Sequence, residues 1–326
     1  MVERLFSAIG RPDKIHVIRP QDSGITKPYE AENNRPVIKY RTEPSKKQTM
    51  NDRLYELSGR TNINTYTFRD KHILLYDDHR TLLNVLFEAK KTGVLSQAPN
   101  LVYFDLHDDA CESLPKSRLL ERIGVEKLSE ATSKQFWSFV EFDLGVQDDD
   151  WLLAGMELDL IGNAILIGQE ENHNIQDLHG LYVTENKVGH ELFSIPHLKY
   201  SLDSRGCLGD HIIKEPYYQN VRDIMQFHSG RFDEGEIKPF VLDFDLDCFT
   251  TECREKTYAW PEDVFRMEYD ESYKVQRFMG TLFDRASFIT ICREPGCCGG
   301  IGESNKILYY LDRYFFDGAL GTQPVF

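Results

Sequence analysis

What this chain lacks narrows its class before any motif is read. No apolar run approaches the roughly 20 residues that span a bilayer, so no membrane-crossing helix is expected. Basic charge is in deficit. The chain has 38 Lys and Arg against 53 Asp and Glu, a formal net charge of −15. A nucleic-acid binder needs a basic face, so that class is set aside, whereas an acidic protein suits a cationic substrate. The seven cysteines include no CxxC pair, which argues against a zinc ribbon and a disulfide framework. Free thiols in a reducing cytoplasm are the expected state. The charged start is not followed by an apolar core, so no secretory signal is expected. Internal repeats and low-complexity tracts are also absent.

What is present is an ordinary globular composition, 41% apolar over 326 residues, enough for a sizeable α/β core. Residues 1–70 are mixed and read as an N-terminal extension packed on a catalytic domain of residues 71–326. Within the extension, Lys14–Ile18 has the pattern of a strand and residues 20–35 that of a loop. From residue 72 the pattern sharpens. His72–Tyr76 reads as a buried strand, followed by Asp77-Asp78-His79. The spacing of Leu82, Leu83, Leu86 and Phe87 predicts a helix over Thr81–Lys91, with a basic last turn and Gly93 as its stop. Leu101–Phe104 is the next strand, so the first unit is expected to be βαβ with these two strands as a parallel pair.

Further helices are predicted over Leu114–Ile123, Lys134–Phe142 and Trp151–Leu160, with Asp148–Asp150 capping the last. Strands follow at Ala164–Ile167, Phe240–Phe244 and Ser287–Cys292, and helices at Asp270–Phe283 and Ser304–Phe316. Residues 185–235 are expected to be long loops that shape a site. Strands alternating with helices imply a three-layer α/β/α sandwich around a mainly parallel sheet.

Two acidic clusters close two of these strands. Asp105, His107 and Asp109 alternate, and on an extended backbone alternate side chains share a side. Asp245 and Asp247 alternate likewise. Asp243 is expected to face away as a structural hydrogen bonder, and Asp108 to face away as a surface or capping group. Sites in parallel sheets form beyond the carboxyl ends of the strands. His79, Asp105, His107, Asp109, Asp245 and Asp247 are therefore expected at one sheet edge. Unpaired buried carboxylates are costly, and a cation is the simplest remedy. Four carboxylates and two imidazoles exceed the needs of one small ion and suit two. Oxygen and imidazole donors without thiolate favour a hard or borderline ion such as Mn²⁺. Blander readings compete. The clusters could be solvated loops, and Asp245/Asp247 could be a DxD phosphoryl-transfer nucleophile using Mg²⁺, which leaves Asp105, His107 and Asp109 unexplained. Cys297 and Cys298 read as small buried apolar groups. Glu294 has a surface salt bridge with Arg293 as its alternative.

The order DH, DxHxD, DxD, each after a strand, resembles the ureohydrolase superfamily of arginases, agmatinases and deacetylases. Asp105-Leu106-His107-Asp108-Asp109 resembles its DAHxD motif. Phe244-Asp245-Leu246-Asp247 is similar to SFDxDxxDP, and Asp78-His79 to GGDHS. The likeness covers roughly residues 72–312. The glycine pair before Asp78 is missing, and so is the family's DP after Asp247, which places the chain nearer a divergent branch that includes the peptide arginases. The resemblance implies an arginase-like fold and two Mn²⁺ per chain. His79, Asp105, Asp109 and Asp245 would hold one ion, and His107, Asp105, Asp245 and Asp247 the other. It implies Asp109 and Glu294 as catalytic residues, with Glu294 binding the guanidinium, and His173 or His179 as the histidine that protonates the leaving amine. The implied partner is a ribosomally made, arginine-containing precursor peptide, with ornithine and urea as products and neither nucleic acid nor membrane involved. Other branches imply the alternatives: an agmatinase-like enzyme, a one-zinc deacetylase-like enzyme, or a non-catalytic peptide-binding module.

Overall fold

The uninterrupted apolar runs become the interior strands, because a strand covered on both faces has no position that tolerates an unpartnered polar side chain. The structure, a computed structural model, describes residues 63–144, 150–168, 177–178, 181–185, 190–195, 240–253, 256–270 and 273–324. Its main sheet has nine strands in the order β1-β2-β11-β8-β3-β4-β7-β6-β5. These are β1 (Asn64–Phe68), β2 (Lys71–Tyr76), β3 (Asn100–Phe104), β4 (Ala164–Ile167), β5 (Asp177–Leu178), β6 (Leu181–Glu185), β7 (Glu191–Ile195), β8 (Phe240–Asp245) and β11 (Phe288–Cys292). The six strands from β2 to β7 in that order run parallel. Antiparallel pairs extend both edges, β1 on β2 and β5-β6 on β7. A separate hairpin joins β9 (Thr250–Cys253) to β10 (Lys256–Ala259).

Helices cover both faces, giving three layers. One face packs Leu74, Leu101, Leu166 and Val241 against α1 (Thr81–Lys91), α2 (Lys116–Ile123), α3 (Ser133–Phe142) and α4 (Trp151–Glu157). The other packs Ile73, Val102, Ile165, Leu242 and Ile289 against α5 (Glu262–Phe265), α6 (Tyr273–Arg285) and α7 (Ile301–Phe315). Alternate residues of each strand thus enter opposite cores, as period-two geometry requires. Phe104 and Phe244 stack across neighbouring strands with ring centroids 5.0 Å apart. Helix α3 opens with a reciprocal capping box between Thr132 and Gln135, worth about 1 kcal/mol.

The α/β sandwich with a mainly parallel sheet is the expected architecture, but four local expectations change. β2 and β3 are parallel yet do not pair, because β11 and β8 lie between them. Both intervening strands are fully buried, and their pairing is set by sequence far along the chain. The final residues assigned to the N-terminal extension form edge strand β1, and the segment read as loop from residue 185 contains β7. Asp150 precedes α4 without a side-chain capping bond. The expected strand Lys14–Ile18, the loop 20–35 and the acidic residues Asp148 and Asp149 lie outside the described residues.

Candidate metal centre

The carboxyl ends of β2, β3, β8 and β11 meet at one edge, and each ends in a residue type able to hold a cation. His79 lies three residues beyond β2, is 1% exposed, and turns its Nδ1 toward three carboxylates. Asp109 Oδ2 is 3.0 Å away, Asp245 Oδ2 3.2 Å and Asp105 Oδ2 3.3 Å. The other ring nitrogen, Nε2, lies 2.7 Å from Asp243 Oδ2. Asp243 Oδ1 in turn accepts from the hydroxyls of Tyr76, at 3.3 Å, and Thr290. A carboxylate behind a histidine fixes which nitrogen carries the proton and leaves the opposite lone pair for a ligand.

This corrects the expectation for Asp243. Its role as a hydrogen bonder stands, but it does not face away. It lies on the same side of β8 as Asp245, one step deeper, as their shared parity dictates. Asp108 behaves more nearly as expected. Its side chain accepts from the Ala110 amide and its carbonyl from the Tyr103 hydroxyl.

Convergence of Asp105, His107 and Asp109 does not come from an extended strand. β3 ends at Phe104, and the following residues curl, with Asp109 at φ 48°. Asp105 Oδ1 accepts from the His107 amide at 2.8 Å, and Asp245 Oδ1 from the Asp247 amide at 3.0 Å, where a short 3₁₀ turn (Leu246–Phe249) begins. Asp247 Oδ1 accepts from the Leu106 amide at 3.2 Å, stitching the two loops together. Each carboxylate therefore has one oxygen held by backbone and the other directed inward. Gly168, at φ 128°, permits this packing. A Cβ there would lie 2.5 Å from the Asp105 carbonyl oxygen and 2.6 Å from Cys248 Sγ.

Of the inward oxygens, Asp105 Oδ2 and Asp247 Oδ2 are buried and take no hydrogen bond. His107 Nδ1 stands 2.9 Å from Asp247 Oδ2 without hydrogen-bond alignment, on a side chain that is 58% exposed. Donor atoms of His79, Asp105 and Asp109 lie within 4.8 Å of one another, as do those of Asp105, His107 and Asp247. Asp105 thus belongs to both groups. Burial and the neighbouring carboxylates push Asp105 and Asp245 well above the usual carboxylate range. Burial disfavours the charged form of His79, but Asp243, Asp109 and Asp245 outweigh it and hold its imidazole well above the usual range. Donor chemistry, orphaned buried oxygens and mutual spacing all fit divalent cations.

Glu294, at φ 27° beyond β11, is half-buried and drawn close. Its Oε1 accepts from the His79 amide at 3.2 Å, and its carboxylate groups with His79 and Asp245 within 4.8 Å. The alternative Arg293 salt bridge is not formed. Arg293 makes a two-pronged contact with Asp77, 2.9 Å at Nη2, which ties the ends of β11 and β2 together. Asp78 pairs with Arg80 at 2.8 Å and takes no part in the cluster. His173 and His179 lie outside the described residues.

Two contributors have no motif. Trp151, at the start of α4, lays its ring against His79, with centroids 4.5 Å apart, and donates from Nε1 to Asp109 Oδ2. Cys297 is exposed, with Sγ within 4.8 Å of donor oxygens of Asp247 and Glu294. Cys298 is buried as expected, whereas the exposure of Cys297 overturns the expectation that both thiols are buried. Nothing local marks Trp151 for this role, whereas its position after an acidic run was readable only as a helix start.

No protein-family model matches the chain, and no curated protein matches it. Among solved structures, the arginase of Helicobacter pylori is similar with a TM-score of 0.35 at 13% identity, over 76% of this chain and 71% of that one. The proclavaminate amidino hydrolase of Streptomyces clavuligerus is similar with a TM-score of 0.37 at 9% identity, over 77% of this chain and 64% of that one. At this overlap the likeness assigns no role to any residue, and the roles rest on the distances within the centre itself.

Proposed function

We infer that this chain is a hydrolase that uses two Mn²⁺ ions at this centre to cleave a guanidinium C–N bond in arginine side chains of a ribosomally made peptide, leaving ornithine and releasing urea. The observation that carries the reading is the surroundings of His79 Nδ1. Three carboxylate oxygens stand 3.0–3.3 Å from an atom that has at most one proton to share. A single N–H cannot satisfy three acceptors, but a cation can.

His79, Asp105, Asp109 and Asp245 would hold the first ion. Asp105, His107, Asp245 and Asp247 would hold the second, with Asp105 and Asp245 shared. When bound, the pair supplies Lewis acidity and brings the pKa of a water toward neutrality. The remaining work belongs to the chain. Asp243 keeps His79 in the tautomer whose Nδ1 lone pair faces the ion. Trp151 screens that side from water and holds Asp109 in place. Glu294 provides the anion that a guanidinium needs beside two dications, and a two-pronged carboxylate contact orients its carbon. The acidic balance of the chain favours approach of a cationic side chain. His173 is assigned the proton for the leaving amine. Support for peptidyl over free arginine comes from the missing glycine pair before Asp78 and from the missing DP after Asp247.

Incubation with Mn²⁺ and an arginine-containing peptide should remove CH2N2 from each processed arginine, read by mass spectrometry, with urea released in equal amount. Turnover of free arginine with the peptide untouched would reject the peptide substrate. Glu294→Gln should retain both ions and lower kcat/KM about 30-fold or more, the scale of a lost buried charge pair. Loss of an ion in that variant would make Glu294 a ligand instead. A one-zinc, deacetylase-like reading has one observation in its favour, the exposure of His107. Metal counting on the purified chain separates the two.

A further inference from the structure

The turn after β11 sends two adjacent cysteines in opposite directions. The amides of Cys297 and Cys298 both donate to the Glu294 carbonyl, at 3.0 and 3.1 Å. Cys298 is buried, and its thiol donates to the Arg293 carbonyl at 3.2 Å. Cys297 is exposed, and its Sγ shares a cluster with oxygens of Asp247 and Glu294 in which all donor atoms lie within 4.8 Å of one another.

A second observation points to the same spot. Asp247 is 1% exposed, and its Oδ2 is buried without a hydrogen bond. Its one close ion-pair contact is His107 Nδ1 at 2.9 Å, on a side chain that is 58% exposed, so this buried oxygen can still take a cation. Asp247 also clusters with Asp105 and His107, while neither Asp247 nor Cys297 is in the His79–Asp105–Asp109 cluster. Glu294, which shares the thiol's cluster, also groups with His79 and Asp245, but of the assigned ion ligands only Asp247, a second-position group, lies in that cluster, so the thiol flanks the second cation position.

We propose that Cys297 is a ligand of the second cation position whenever that position holds a thiophilic divalent ion, so that zinc- or cadmium-class ions displace Mn²⁺ there while the first position remains a purely nitrogen and oxygen site. This rests on the reading of the centre as a cation site and adds a sulfur donor to it. Thiolate selects softer ions, whereas carboxylate and imidazole serve Mn²⁺ without it. On coordination the S–H bond is replaced by a sulfur–metal bond, the proton passes to solvent, and no electron is transferred.

The test is a Cd²⁺ titration of the metal-free full chain, following sulfur-to-metal charge-transfer absorption in the ultraviolet together with bound cadmium. Wild type and Cys111→Ser should both show the band. Cys297→Ser should lose it and bind one cadmium about 10–100-fold more weakly, with the other unaffected. Alkylation of Cys297 by iodoacetamide, read by peptide mass spectrometry, should be slowed by Cd²⁺ and not by Mn²⁺, a result that needs no variant to fold. A band undiminished in Cys297→Ser, cadmium bound without a band, or equal protection by both ions overturns the sulfur ligand alone. Failure of wild type to bind either ion overturns the cation centre with it.

Discussion

His79 is 1% exposed, meets three carboxylate oxygens through one nitrogen and is anchored by a fourth carboxylate through the other. His107 is 58% exposed and meets one carboxylate. The first environment is roofed by Trp151 and backed by Tyr76 and Thr290, and the second opens toward Cys297. Both come from strand ends only a few ångströms apart, so the difference arises from the layer above each. Helix α4 closes over one, while the other lies in the turn-rich mouth between β3, β8 and β11. Burial makes each electrostatic contact stronger and each unmatched charge costlier. The first position should accordingly bind tightly and with narrow tolerance, and the second more weakly and with more exchange.

The largest expected effect removes the distinction. Asp245→Asn weakens both positions, and ion content and turnover should each fall more than about 100-fold in apparent affinity or rate, beyond the range seen for outer residues. Equilibrium dialysis with Mn²⁺ measures it, and unchanged binding would break the shared-ligand assignment. Next, Asp243→Asn should weaken the first position by about 10–100-fold and leave the second near wild type, because the change acts through the orientation and proton of His79. Equal losses at both positions would show that the two do not differ in the way described. The smallest change is expected from His107→Ala. Water can replace an exposed imidazole, so the second ion should be held about tenfold less tightly while the first and the melting temperature are retained. Atomic emission counting with a thermal melt checks both.

The fold was legible wherever burial imposed a pattern. β4 occupies the residues its apolar run marks, and α1 matches its leucine spacing from Thr81 to Lys91. Pairing was less legible, because strand order depends on which distant runs enter the sheet, and β8 and β11 separate β2 from β3. At the site, the clustering of Asp105, Asp109 and Asp245 around His79 followed from their places at strand ends, but by a route that alternation does not describe. Short-range amide-to-carboxylate bonds curl both loops. Asp243 was readable and misjudged, since it shares parity with Asp245. Trp151 and Cys297 reach the centre only through tertiary contacts, and no spacing along the chain encodes those.

The single free oxygen on each of Asp105, Asp245 and Asp247 has a further consequence. With its partner oxygen already engaged by an amide, none of the three can readily wrap an ion with both oxygens at once. Calcium fills a wide shell of six to eight oxygens by that device, so it is poorly served here, whereas smaller ions content with fewer donors are not disadvantaged. On the proposed reading, discrimination against the commonest large dication would be written into the backbone of these two short loops.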